Sequence, residues 1–269
     1  MCTLISAQAV NMPPYATEHL GGHVSYYEEV TYNLWNLRLN TADSKEQAVQ
    51  PIKHQESIVC HEFNLNGNET LITRYVQRDS NVGSIGRDDD GNLNFIANEI
   101  SRITPDTRTL LSYGEQDRLI TRKVWSFNAG DSTMILSDSC IYDSTGTLSC
   151  FIMIRDSVST ISQYKRQGRT GGWSIIYSDG TSEEYRFDSE HNLLRYTDRD
   201  GMTLKNTFNE RGHIIKQTSE WEDGSVLNVV FEDFEYDDNG NWTRCIRKVK
   251  DPGESPRSTK IIERSFRYR

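Results

Sequence analysis

Turn punctuation constrains this chain more than any other feature. One unit recurs: an aromatic residue, Asp or Asn, two intervening residues, Gly or Asn, then an apolar residue. It reads Phe63-Asn64-Leu65-Asn66-Gly67-Asn68, Tyr142-Asp143-Ser144-Thr145-Gly146-Thr147-Leu148 and Phe187-Asp188-Ser189-Glu190-His191-Asn192-Leu193. It returns as Phe208-Asn209-Glu210-Arg211-Gly212-His213-Ile214 and Tyr236-Asp237-Asp238-Asn239-Gly240-Asn241-Trp242, with a degenerate copy at Arg87-Asp88-Asp89-Asp90-Gly91-Asn92-Leu93. Asp-Gly pairs make a second mark, at Asp179-Gly180, Asp200-Gly201 and Asp223-Gly224. From residue 173 onward the two marks interleave about every ten residues, the spacing of an antiparallel meander. Asp and Asn accept hydrogen bonds from the backbone two residues on, and Gly takes the positive φ that tight hairpins demand.

Between the marks, apolar residues alternate: Trp173, Ile175 and Tyr177, then Tyr185 and Phe187, then Met202 and Leu204. A period of two marks one face of a strand. A hairpin alone is marginal, so the copies must share a buried face. Hydrophobic residues make up 35% of the 269, against a usual ~45–50%, so only a thin core is available. These observations predict an all-β chain: an antiparallel meander of repeated hairpins in an elongated or single-layer twisted sheet. A sandwich or an open barrel is the alternative. Open sheet edges would favour a homodimer.

The first third is less regular. Gly22 to Leu39 reads as a Tyr-rich strand pair, Ala42 to Pro51 as a polar loop or helical turn, and Lys250 to Ser258 as a loop before a last strand from Thr259 to Tyr268. Residues 1–19 read as a flexible arm or a signal-peptide remnant, and 20–269 as the hairpin-repeat domain. Ala7 and Ala9 have the spacing of a signal cleavage site behind a short apolar stretch, which points to export to the periplasm or envelope, with a cytoplasmic location as the alternative. No apolar run is long enough for a transmembrane helix. The net charge of -9 and the lack of a basic stripe argue against nucleic acid as partner.

Of five cysteines, none forms a C-x-x-C pair, so no zinc site is expected. If Ser144 to Gly146 form a three-residue loop, Cys140 and Cys150 fall opposite each other as a candidate disulfide. Two unpaired half-buried thiols are the alternative.

The Tyr-Asp-x-x-Gly units resemble YD repeats of the RHS type. More closely, the chain resembles a group of bacterial exported repeat proteins of unknown function. Leu20-Gly21-Gly22-His23-Val24 matches their opening, Tyr236 to Arg244 their closing Tyr-Asp-x-x-Gly-Asn-Trp-Thr segment, and Ile261 to Tyr268 their last strand. The likeness spans about residues 20–268 and is weakest over 95–135. It implies an exported β-protein, with a lipid anchor as a further option, and it carries no catalytic residues. Large RHS proteins wrap a toxin in a shell of many units; about six units here are too few for that.

No hydrolase, metalloprotease, P-loop or dinucleotide motif occurs, and no cofactor or metal is expected. Asp88-Asp89-Asp90-Gly91-Asn92 lacks the alternation of a calcium loop, because Gly86 stands at its first position. His191 and His213 occupy corresponding turns, and His54 and His61 read as surface residues. Aromatics near turns are the better lead: Trp173, Tyr177, Trp221 and Trp242 are the candidate ligand-binding residues, since one face of a thin sheet stays wet. The leading function is a non-enzymatic binding or structural protein of the bacterial cell envelope, facing a protein or a glycan. An immunity or antitoxin-like protein and a carbohydrate-active hydrolase with two facing carboxylates are the alternatives.

Overall fold

The computed structural model describes residues 20–35, 52–77, 83–87, 93–97, 100, 102, 104–114, 118–128, 131–144, 148–155, 158–167, 172–177, 179–188, 192–253 and 256–269. The expectations for residues 1–19, 42–51, 88–92 and His191 lie outside them. Among the described residues the structure is all strand and turn, and no helix is long and apolar enough to cross a membrane.

The strands are β1 (Val24–Trp35), β2 (Ile52–Phe63), β3 (Glu69–Val76), β4 (Gly83–Arg87), β5 (Leu93–Ala97), β6 (Thr107–Tyr113), β7 (Leu119–Asn128), β8 (Asp131–Tyr142) and β9 (Leu148–Arg155). They continue as β10 (Val158–Gln167), β11 (Gly172–Ile176), β12 (Ser182–Phe187), β13 (Leu193–Thr197), β14 (Thr203–Phe208), β15 (Ile214–Glu220), β16 (Val226–Tyr236), β17 (Trp242–Lys250) and β18 (Ser258–Tyr268). Where a strand pair was expected between Gly22 and Leu39, the single strand β1 runs to Trp35; no turn residue interrupts its alternation.

The expected antiparallel meander is what forms. Every pairing is antiparallel and joins sequence neighbours, except that β3 pairs with β6 past the separate β4–β5 hairpin and β1 pairs with β18. The sheet also closes: β1 pairs with β2 on one side and β18 on the other, giving a barrel of sixteen strands. Closure removes the free edges on which edge-to-edge dimerisation rested.

One backbone turn recurs throughout. In Asn64 to Asn68, the Asn64 N–H donates to the Asn68 carbonyl (2.9 Å) and the Gly67 N–H to the Asn64 carbonyl (3.0 Å). The pattern repeats at 209–213 and 237–241, and equally at the Asp-Gly marks 177–181, 198–202 and 221–225. Its glycine sits at positive φ, for example 83° at Gly240 and 80° at Gly224, which explains the two glycine marks together.

Because strands alternate in direction, the two marks segregate to opposite rims. At one rim the aromatic residue of each unit pairs with the residue six positions on: Phe63 with Glu69, Tyr142 with Leu148, Phe187 with Leu193, Phe208 with Ile214, Tyr236 with Trp242. A one-residue register shift accompanies each pair. A further copy, Tyr113 with Leu119, lies in the stretch where the sequence repeat is weakest. The chain ends build yet another. Tyr268 pairs with Val24 beside a shift, the Arg269 N–H donates to the His23 carbonyl (3.0 Å), and Gly22 has φ 74°. The first half of this turn comes from the C-terminal end and the second half from Leu20 to Val24. Asn241 locks it, accepting from the Gly21 N–H (2.6 Å) and donating to the Gly21 carbonyl (2.8 Å) and the Tyr268 hydroxyl (2.7 Å).

Side chains sort into two faces. On β8, Leu136, Asp138 and Cys140 are buried while Met134 and Ile141 are exposed. Followed through the register, the sheltered face also carries Ile175, Glu183, Tyr185, Leu204, Val229, Cys245 and Ile262. This is the concave side, since a closed sheet screens what it encloses. The other face is covered locally, where Ile100 packs on Val30 and Ile58.

Candidate functional site

The inner face at the aromatic rim carries a continuous row of rings. Each register shift is a bulge, which keeps the unit's aromatic residue and its partner on the inner face. Tyr27 stacks on His61 (centroids 4.1 Å) and touches Phe63 (5.9 Å) and Phe266 (5.3 Å). Phe266 meets Tyr268 at 6.1 Å. On the far side of β18, Phe234 meets Trp242 edge-on (6.1 Å), and Tyr236 and His213 extend the row. Arg264 joins the two halves: its guanidinium carbon lies 3.5 Å from the Trp242 ring centre and 5.1 Å from that of Tyr27, while its Nε donates to Glu29 (2.9 Å). Phe63, Phe234, Tyr236 and Phe266 are only half-buried, so ring surface remains accessible.

Deeper along the inner face lie polar groups. Arg122 is paired with Asp138, its Nε donating at 2.6 Å, and Asp138 is 1% exposed. Burial, and then the Asp138 charge, push the neighbouring Cys140 thiol up to about 11. The Tyr185 hydroxyl donates to the buried Glu183 (2.7 Å). Toward the Asp-Gly rim, Arg247, Lys260, Asn33 and His54 stand side by side on β17, β18, β1 and β2. Lys260 binds both oxygens of Glu56.

The structure does not gather the sequence-derived candidates. Tyr177 is buried at the Asp-Gly rim under Arg199 (4.3 Å), and Trp221 stands 37% exposed at the same rim. Trp242 is buried at the opposite rim. Trp173 pairs with Tyr185 in β11, and its side chain lies outside the described set. Cys140 pairs with Phe151 and Cys150 with Ile141, so the two thiols fall on opposite faces and are unbridged. The bulge that follows Leu148 slips the register by one from the expected hairpin. His54 and His61 are inner-face residues rather than surface ones: His54 is 4% exposed, and His61 lies against Tyr27 and Glu69. Alternation along β2 decides this. His213 corresponds to Asn192, not His191, because Phe208–Ile214 aligns with Phe187–Leu193.

Sequence reasoning passed over Tyr27, Phe266 and Arg264, which lie on strands rather than at turns. Even spacing from Arg264 to Tyr268 was the available signal. Among the described residues no group of three or more His, Cys, Asp or Glu is placed to hold a metal.

No family model matches the chain, and no curated protein does. Among solved structures it is similar to a porin-like protein from Bacteroides uniformis, with a TM-score of 0.50 and 12% identity over 91% of this chain and 96% of that one. That likeness is one of fold. A complex of TcdB2, TccC3 and Cdc42 aligns at a TM-score of 0.30 and 12% identity, over 75% of this chain and 11% of that one.

Proposed function

We propose that this protein is a non-enzymatic binding or structural protein of the bacterial cell envelope, an exported YD-type repeat barrel that presents an aromatic surface to a protein or glycan. The observation that carries the reading is the row from His61 through Tyr27, Arg264 and Trp242 to Tyr236, in which Tyr27 and Trp242 are buried, with a cation held against both, and the rings of Phe63, Phe234, Tyr236 and Phe266 beside them are half-buried. Such rings stack on sugar faces or seat apolar side chains with little ordering cost. The resemblance of residues 20–268 to exported repeat proteins supports export.

A membrane-spanning pore fits less well. The outward face of β14 to β17 carries Lys205 with Glu220 (2.8 Å) and Arg244 with Glu235 (2.9 Å), besides Lys248 with Glu232. Each Lys or Arg turned to lipid near the midplane costs roughly 2–4 kcal/mol. This arc is built for water.

The test is titration calorimetry of the purified chain against envelope oligosaccharides and fractionated envelope proteins, with Phe266→Ala and Tyr236→Ala beside it. Binding that weakens about tenfold in these variants, with the circular dichroism unchanged, supports the reading. Absence of binding to every fraction sinks it. A lipid mass on Cys2 in cell fractions would establish anchoring.

A further inference from the structure

The other end of the inner face holds cationic side chains that the described residues neutralise only in part. Arg247 and Lys260 are directly opposed across β17 and β18, an arrangement in which like charges repel. Next to Lys260 in the same lateral row come Asn33 and then His54. Among the described residues, Glu56 is the carboxylate that an ion pair ties to this row. Glu56 is the extra residue at the bulge of β2, and both its oxygens are bound by Lys260. Among the described residues the Arg247 guanidinium has no hydrogen bond or ion pair, and Glu56 reaches it only at longer range. Burial dominates its environment and disfavours its charge. Two strands past β1, Arg74 faces the same interior, and its buried Nε also has no partner. All this stands in a chain of net charge -9, so the patch runs against the protein's overall sign.

Holding a desolvated guanidinium beside a second cation is unfavourable unless an anion completes the group. Arg247 and Arg74 stay partly open to solvent, so an incoming group can reach them. A planar guanidinium with a free fork suits a two-oxygen acceptor, and a lysine beside it adds a point charge.

We propose that Arg247 and Lys260 form a binding site for an oxyanion, the carboxylate or phosphate of a ligand taken into the barrel. Arg247 grips two oxygens and Lys260 shares its charge between the ligand and Glu56. The inference rests on the binding function proposed above and narrows its ligand to an acidic one.

Calorimetry of the full chain with trigalacturonate, maltotriose and inorganic phosphate tests it. Trigalacturonate should bind at least about tenfold more tightly than maltotriose, and Arg247→Gln should erase that difference. Lys205→Gln, on the outer face, should leave it intact. Phosphate binding as tightly as trigalacturonate would identify a free-anion site; trigalacturonate binding without phosphate would identify an acidic glycan site. Arg247→Gln should melt no lower than the parent without ligand, since it removes an uncompensated charge. Lys260→Gln is an independent variant, because it releases Glu56 to Arg247 and should abolish anion binding. Equal affinity for trigalacturonate and maltotriose, or an Arg247→Gln protein that still discriminates, overturns the oxyanion site and leaves the general binding reading standing. No binding of any of the three probes overturns the site as well, while aromatic-rim binding to envelope fractions remains a separate measurement.

Discussion

The two rims of the barrel share one backbone turn and differ in what precedes and follows it. At the aromatic rim an aromatic residue enters the turn and a bulge follows it. At the Asp-Gly rim the strands leave in register, as Ile176 pairs with Ser182 and then Ile175 with Glu183. The caps differ from turn to turn rather than from rim to rim. Asp237 stands at the first turn position, and its Oδ1 accepts from the N–H groups of Asn239 (3.0 Å) and Asn241 (2.9 Å). Asp198 at the Asp-Gly rim also stands first in its turn and accepts from the N–H groups of Asp200 (3.0 Å) and Met202 (2.8 Å). Asp223 stands at the third, accepts from the Ser225 N–H (2.8 Å), and is fully exposed, with the Ser225 contacts holding its carboxyl below the ordinary range. The extra residue in each aromatic-rim unit thus keeps the unit's aromatic residue and its partner together on the inner face, since a single-residue shift reverses the face of every side chain beyond it.

The largest expected effect comes from emptying an inward position that a bulge supplies. Leu193→Ala should cost about 2–5 kcal/mol in urea denaturation, because Leu193 is buried opposite Phe187, while Leu194→Ala at the exposed bulge position should cost less than about 0.5 kcal/mol. Similar costs at the two positions would mean that the bulge does not decide which side chain faces inward. Asn241→Ala strips three hydrogen bonds from the turn made by the two chain ends and should cost about 2–4 kcal/mol, against about 1 kcal/mol for Asn192→Ala in an ordinary unit. Equal losses would show that the split turn bears no special load. Gly240→Ala and Gly224→Ala, one at each rim, should each cost about 1–2 kcal/mol, because both need positive φ and neither has a neighbour within 4 Å. Unequal values would break the claim of a common turn. Asp237→Ala should cost about 1 kcal/mol through its lost caps, whereas Asp223→Ala should be hard to tell from the parent by thermal melting.

The smallest effect is with pH. Burial raises the Cys140 thiol from 9.0 to about 11 and the Tyr113 phenol from 10.0 to about 12. The unfolded chain loses these protons first, so the native state holds more of them and stability falls as pH rises. The decline should begin near pH 9 and continue to about 12. Cys140→Ser and Tyr113→Phe should each flatten part of it in urea midpoints taken from about pH 8 to 11.

Much of the architecture was legible in the turns. The units at 208–214 and 236–242 are regular because the turn needs Asx and Gly at set positions, and local chemistry writes both into the chain; the unit at 187–193 keeps the Asx but carries His191 where the others have Gly. The Tyr113 copy escaped because Gly114 replaces the Asx, yet the Gly114 N–H still donates to the Arg118 carbonyl (2.9 Å). The candidate site was less legible. Trp221 and Trp242 look alike beside their turns but belong to opposite rims, and Arg264 signals nothing until Tyr27 and Trp242 close around it.

By itself, then, the sequence determined the all-β class, the position of the regular turns and the alternation within strands, all matters of a few neighbouring residues. Only the tertiary structure decided that the sheet closes, which face is inner, and that Arg247 stands opposite Lys260. Those outcomes depend on pairing across the whole length of the chain, such as Val24 with Tyr268, and on bulges whose single extra residue leaves no compositional trace.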